Sequence, residues 1–102
     1  MSTGHGRVQR DILKWFYDQP MGERIGTEWL ARRVHAWRES VYRALLRLED
    51  EGYVHAVFYE DGGLGPGRQR EWRMDEERWD REQSYRKAVV KAITLLERIP
   101  QR

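Results

Sequence analysis

The side chains with usable chemistry in this sequence are guanidinium groups at helical spacing. Arg38, Arg43 and Arg47, with Ser40 and Tyr42 among them, lie in one run from 38 to 51. Arg32 and Arg33 precede that run, and Arg68 and Arg70 follow a Gly-rich stretch after it. A guanidinium presents a planar fork that pairs with phosphate oxygens and with the O6 and N7 edge of guanine. Three such groups brought to one duplex would supply backbone and base contacts together. The opposing reading is a solvated helix face in a chain whose codons favour Arg, so the placement of the cations has to decide.

Other chemistries find little support. The chain has no Cys, which excludes disulfides, thiolate nucleophiles and Cys-based zinc sites. His5, His35 and His55 are scattered without a second ligand at metal spacing, so no metal or other cofactor is expected. No nucleophile, base and orienting group recur together, and enzyme activity is not expected. Trp15 and Trp79 could line a flat pocket for a small aromatic effector, because indoles stack on planar ligands. The duller reading, that they fill the core or a dimer seam, carries more weight.

The elements that must position these groups follow from apolar periodicity. Val8, Ile12, Trp15 and Phe16 predict a helix over 7–18, ended by Pro20 and Gly22. The stretch 23–26 is a turn or a minimal strand. Thr27 is placed to cap a second helix, with Leu30 and Val34 facing inward. After a turn at 35–37, Val41, Ala44, Leu45 and Leu48 define the inner face of a third helix, with Arg38, Tyr42, Arg43 and Arg47 on or near the other face. Gly52 suits the left-handed position that closes it. Residues 53–59 and 69–74 alternate as strands of a hairpin around a Gly-rich loop. Asp75 then caps a helix of about 24 residues, roughly 36 Å long. Its stripe of Trp79, Tyr85, Ala88, Val89, Ala92, Ile93, Leu96 and Ile99 exceeds what the rest of the domain needs, and argues for pairing with a second copy.

These elements make an α+β, mostly α, winged helix-turn-helix with a two-stranded wing and a long C-terminal dimerisation helix. Its parts are an N-terminal segment at 1–6, a DNA-binding domain at 7–74, the dimerisation helix at 75–99 and a tail at 100–102. Composition agrees with a thin core that a partner would complete. Of 102 residues 39% are hydrophobic and 35% charged, and mean hydropathy is −0.92. Formal charge is only +2, but sixteen of the nineteen cations are Arg. No apolar run reaches the ~18 residues of a membrane span, and a cytoplasmic location with no membrane contact is expected.

Two segments also resemble a known family. Ser40-Val-Tyr-Arg-Ala-Leu-Leu-Arg-Leu-Glu-Asp-Glu-Gly-Tyr-Val54 is similar to the recognition helix and first wing strand of PadR-like winged-helix regulators. Gly65-Pro-Gly-Arg-Gln-Arg-Glu-Trp-Arg-Met-Asp-Glu-Glu77 is similar to their segment after the wing, with Trp72 where the family has Tyr. The segment leading to the second helix, Met21 to Leu30, departs from the family pattern. The resemblance implies a homodimer built on the last helix and repression at a palindromic operator, in some members relieved by an aromatic or drug-like ligand. The expected partners are therefore double-stranded DNA and a second copy. DNA contacts are assigned to Arg32, Arg33, Arg38, Ser40, Tyr42, Arg43, Arg47, Arg68 and Arg70, and dimer contacts to Trp79, Tyr85, Val89, Ala92, Ile93 and Leu96. The competing class is a winged-helix module that holds another protein through its Trp-rich faces, with Trp37 and Trp72 as anchors.

Overall fold

A computed structural model describes residues 5–57 and 71–98. Its elements run α1 (Arg7–Tyr17), β1 (Arg24–Gly26), α2 (Thr27–Val34), α3 (Arg38–Asp50), β2 (Val54–Val57), β3 (Glu71–Met74) and α4 (Glu76–Glu97). The outer ends of the two expected hairpin strands, the Gly-rich loop with Arg68 and Arg70, and Ile99 lie outside the described residues. The helices fall within two residues of their expected ends. Three helices packed on an antiparallel sheet of order β1-β3-β2 make the architecture a winged helix-turn-helix.

The apolar faces read from periodicity are the ones that close the core. Ile12 and Phe16 of α1, Leu30 and Val34 of α2, and Val41, Ala44, Leu45 and Leu48 of α3 are buried together. Gly52 has φ +83°, so the turn after α3 uses a conformation that side chains resist. The Gly52 N–H bonds Glu49 O at 3.0 Å and the Tyr53 N–H bonds Leu48 O at 2.8 Å, which satisfies two terminal carbonyls of α3.

The stretch at 23–26 resolves as a strand. Arg24, Ile25 and Gly26 pair antiparallel with Arg73, Trp72 and Glu71, so β3 is the central strand and the sheet has three strands. Trp72 is wholly buried and is the largest of the fully buried side chains. Its indole N–H donates to Thr27 Oγ1 at 3.0 Å. That bond corrects the cap predicted for α2: Gly26 takes the N-cap position, and Thr27 turns inward, buried. A buried N–H without an acceptor costs more than a missing cap does, so the hydroxyl serves the indole.

α4 is anchored by its first three turns. Trp79 Nε1–H donates to Gln19 O at 2.9 Å, Gln83 Nε2–H to Tyr17 O at 2.7 Å and Arg86 to Tyr17 O at 3.1 Å, covering carbonyls at the end of α1. Arg78 donates to Glu51 O and Gly52 O, both at 3.1 Å, at the end of α3, and its guanidinium lies 3.8 Å from the Tyr53 ring centroid. Positive donors at helix C-termini oppose the negative end of the helix dipole. Asp75 caps α4 by accepting from the Arg78 N–H at 3.2 Å, and it meets His55 Nε2 at 2.7 Å. An ionised carboxylate only accepts, so His55 carries its proton on Nε2 here. The hydrogen bond from His55, supported by that from the Arg78 N–H, holds the Asp75 carboxyl below the ordinary 3.8.

Beyond this anchor α4 stands clear of the body, with every residue from Lys87 to Arg98 exposed. The radius of gyration is 17.3 Å and the long axis 68 Å, against about 13 Å of gyration for a compact chain of this length.

Replacing Thr27 by Val keeps the shape but orphans the Trp72 N–H, and should cost about 1–3 kcal/mol in urea unfolding; an unchanged midpoint would contradict this role. Asp75 stabilises the fold when ionised, because its folded pKa lies below its unfolded one. The contribution is complete above the ordinary value and is lost as pH falls through the lowered one. Asp75→Asn should therefore lower stability at neutral pH and flatten the acid limb of the stability curve below about pH 4, read as unfolding midpoints across pH.

Candidate nucleic-acid interface

The second and third helices with the turn between them form the surface on which the expected contacts gather. Four inward residues fix the rotation of α3, which leaves Arg38, Glu39, Ser40, Tyr42, Arg43, Leu46 and Arg47 exposed. In this fold the second helix of the pair enters the major groove, and its N-terminal residues reach the bases. Arg38 and Ser40 stand at that end, Arg43 one turn further in and Arg47 a turn beyond.

The cations differ in how committed they already are. Arg47 Nε sits 3.5 Å from Glu51 and Arg32 is 3.6 Å from Glu28, both i,i+4 pairs on open surface. Arg32 also lies 4.9 Å from the Trp29 ring. Such exposed pairs are weak, about 0.3–0.5 kcal/mol each, and yield readily to a phosphate. Arg33, Arg38 and Arg43 make no ion pair among the described residues. The Tyr42 ring meets Trp72 edge-on at 6.4 Å between centroids, so one side of this exposed residue is held by the core.

Arg68 and Arg70, the expected wing contacts, lie outside the described residues, and no placement is assigned to them. The sheet brings together residues the sequence did not single out. Arg24 of β1, Arg73 of β3 and His55 of β2 are neighbours in register. Their juxtaposition depends on β1 joining the sheet, which a three-residue segment does not signal. Leu46 escaped notice because its neighbour Leu45 satisfies the inner face.

The expected arm contacts divide into two groups. Tyr85, Val89, Ala92, Ile93 and Leu96 are all exposed along one side of α4, and Val90 and Leu95, also exposed, widen that row to both flanks. Trp79 is different: it is half-buried against the core of its own chain and its N–H is taken by Gln19 O. It forms the root of the arm and stands apart from the exposed row, because its half-buried indole finds a carbonyl just past the end of α1.

Trp15 packs edge-on against Phe16, 5.1 Å between centroids. It borders an open cavity of about 280 Å³ shared with Arg7, Asp11, Lys14, Asp18, Arg33, Val34 and His35. Trp79 is not among its lining residues, so the two indoles expected to flank one flat ligand do not share it. Trp72, one of two anchors considered for a protein partner, is wholly buried and cannot meet a partner from the surface. Trp37 is the other, 84% exposed. Among the described residues no three His, Cys, Asp or Glu side chains form a group that could hold a metal ion, and no helix is long and apolar enough to cross a membrane.

No protein-family model and no curated protein matches the chain. Solved structures do. A double mutant of Lactococcus lactis ZitR aligns at a TM-score of 0.59 and 14% identity, over 98% of this chain and 66% of that one. ZitR itself, described as a zinc-responsive MarR family member, aligns at 0.56 and 14%, over 99% and 67%. The transcriptional regulator PA4135 aligns at 0.54 and 16%, over 96% of this chain and 81% of that one. The chain thus spans about two thirds of the length of ZitR, and the likeness shows the winged-helix fold.

Proposed function

We propose that the chain is a cytoplasmic, sequence-specific regulator of transcription that binds double-stranded DNA as a homodimer. The observation that carries the reading is the outer face of α3. It holds Arg38 and Arg43 without ion pairs among the described residues, on the helix that this fold offers to the major groove. A solved structure of the same fold that is described as a transcriptional regulator, PA4135, supports it. The PadR-like resemblance of 40–54 and 65–77 adds the finer reading of a repressor occupying a palindromic operator. The MarR description of ZitR points to a different subfamily, and the assignment between them is not needed for the mechanism.

Arg43 is the proposed base reader, with Tyr42 beside it. Arg38, Ser40, Arg32 and Arg33 are proposed to hold phosphates on the flank, Arg47 to join them once released from Glu51, and Arg68 and Arg70 to reach the neighbouring groove. Two copies paired through Tyr85, Val89, Ala92, Ile93 and Leu96 would set recognition helices about one DNA turn, 34–36 Å, apart. No aromatic effector enters the proposal, since the cavity beside Trp15 is lined largely by charged side chains.

Selection of duplexes from a random pool should recover a two-fold symmetric sequence. Failure to recover any duplex at low salt would overturn the DNA reading in favour of a protein partner. Affinity should fall steeply with salt as phosphates release counterions. Arg43→Ala should cost about 1–3 kcal/mol and relax preference at one base position, whereas Arg38→Ala should flatten the salt slope by about one. For the dimer, Ile93→Glu places a charge in the apolar row. Light scattering should give twice the 12.3 kDa chain mass for the wild type and the chain mass for the variant; a wild-type monomer would refute the pairing.

A further inference from the structure

The turn between α2 and α3 carries an indole that the fold does not use. Trp37 is 84% exposed, more than any other large apolar side chain described. It occupies the N-cap position of α3 and makes no side-chain cap hydrogen bond. Ser, Thr, Asp or Asn at an N-cap would satisfy a backbone N–H there, and an indole cannot accept one. The position therefore forgoes stability twice, once in an unmade cap and once in an aromatic surface left in water.

The backbone beneath the indole is nonetheless fixed. Trp37 O accepts the Val41 N–H at 3.0 Å, His35 closes α2 in the left-handed region at φ 53°, and the Ala36 N–H returns to Ala31 O at 3.1 Å. An aromatic with two rotatable bonds on a held backbone loses little freedom when it meets a surface. Arg38 follows it directly, and Arg33 lies in the last turn of the helix before it, both exposed and without ion pairs among the described residues. Cations on both sides suit a polyanion and oppose a second copy of a chain that is itself positive. The exposed row of α4 is the contrary case, broad and apolar enough to take a helix.

We propose that Trp37 is a DNA-contacting residue, its indole packed on the apolar face of a deoxyribose at the edge of the major groove while Arg33 and Arg38 hold the adjoining phosphates. The inference rests on the DNA-binding reading and deepens it. Trp37 adds affinity that does not depend on salt, because it neutralises no phosphate, and it fixes how deeply the recognition helix sits.

The test compares Trp37→Ser and Trp37→Phe with the wild type on the duplex recovered from the random pool, titrated at several salt concentrations, with thermal unfolding measured on the same samples. Trp37→Ser should raise the unfolding midpoint, since it supplies the missing cap, yet weaken DNA binding about tenfold with the salt slope unchanged. Trp37→Phe should keep most of the affinity. Gain in stability with loss of binding is a pairing that a structural role would not produce. If Trp37→Ser binds as tightly as the wild type, or loses affinity through a flatter slope, the proposal is wrong while DNA binding itself stands. If the wild type recovers no duplex, it is the DNA reading that falls, and this inference falls with it.

Discussion

The hydrogen bond from Trp72 to Thr27 is the contact on which the arrangement of the site depends. Trp72 lies on the central strand, opposite Ile25 on one side and Ala56 on the other, and its indole N–H ends on the first residue of α2. Its ring also meets Tyr42 of α3. One residue thus meets β1 and β2 through its strand and α2 and α3 through its indole, the elements that present the cationic face. No other aromatic group of that volume is fully buried among the described residues, so the helices and the sheet meet where this indole fits. Buried aromatic bulk supplies the hydrophobic gain, and the single polar atom supplies direction.

A second constraint governs how that body is connected to its arm. The end of a helix leaves carbonyls without partners, and here α4 supplies the donors for two such ends at once. Trp79, Gln83 and Arg86 serve the end of α1, while Arg78 serves the end of α3. Arg78 sits in the first turn of α4, so its bonds to Glu51 O and Gly52 O tie the root of the arm to the turn that follows α3.

What was legible in the sequence was what depends on period and on local backbone. Ile12, Phe16, Leu30, Val41 and Leu48 declare inner faces by spacing, Gly52 its positive φ, and Asp75 its cap. The partner of a polar side chain was harder to read. Thr27 looks like a cap because caps are local, and only the approach of Trp72 from 45 residues away gives it a different use. For the same reason β1 stayed open between a turn and a minimal strand: three residues have no period, and their pairing with β3 is decided across the whole domain. Trp79 carried the right spacing for the seam, but spacing along α4 does not say where the body ends and the free arm begins. The exposure of Trp37 was equally hidden, since an aromatic in a tight turn is as often packed beneath a helix as left outside.

The near-neutral charge of the chain conceals a local imbalance, and the ion pairs show how it arises. Asp11 and Asp18 are taken by Arg7 and Lys14 on α1, and Asp18 and Glu82 by Arg86 of α4. Glu51 sits between Arg47 and His5 at the far end of α3. Carboxylates are thus engaged on α1, α2, α4 and the C-terminal end of α3, while Glu39 stands exposed in the first turn of α3 beside Arg38. Arg33, Arg38 and Arg43, which follow one another across the turn between α2 and α3, make no ion pair among the described residues. A polyanion approaching there meets cations that need not first give up a partner, and among the described residues the cost of exchange falls at Arg32 and Arg47, where the existing pairs are exposed and weak. The total charge of the chain says little about that surface, where three unpaired guanidinium groups face the one carboxylate of Glu39.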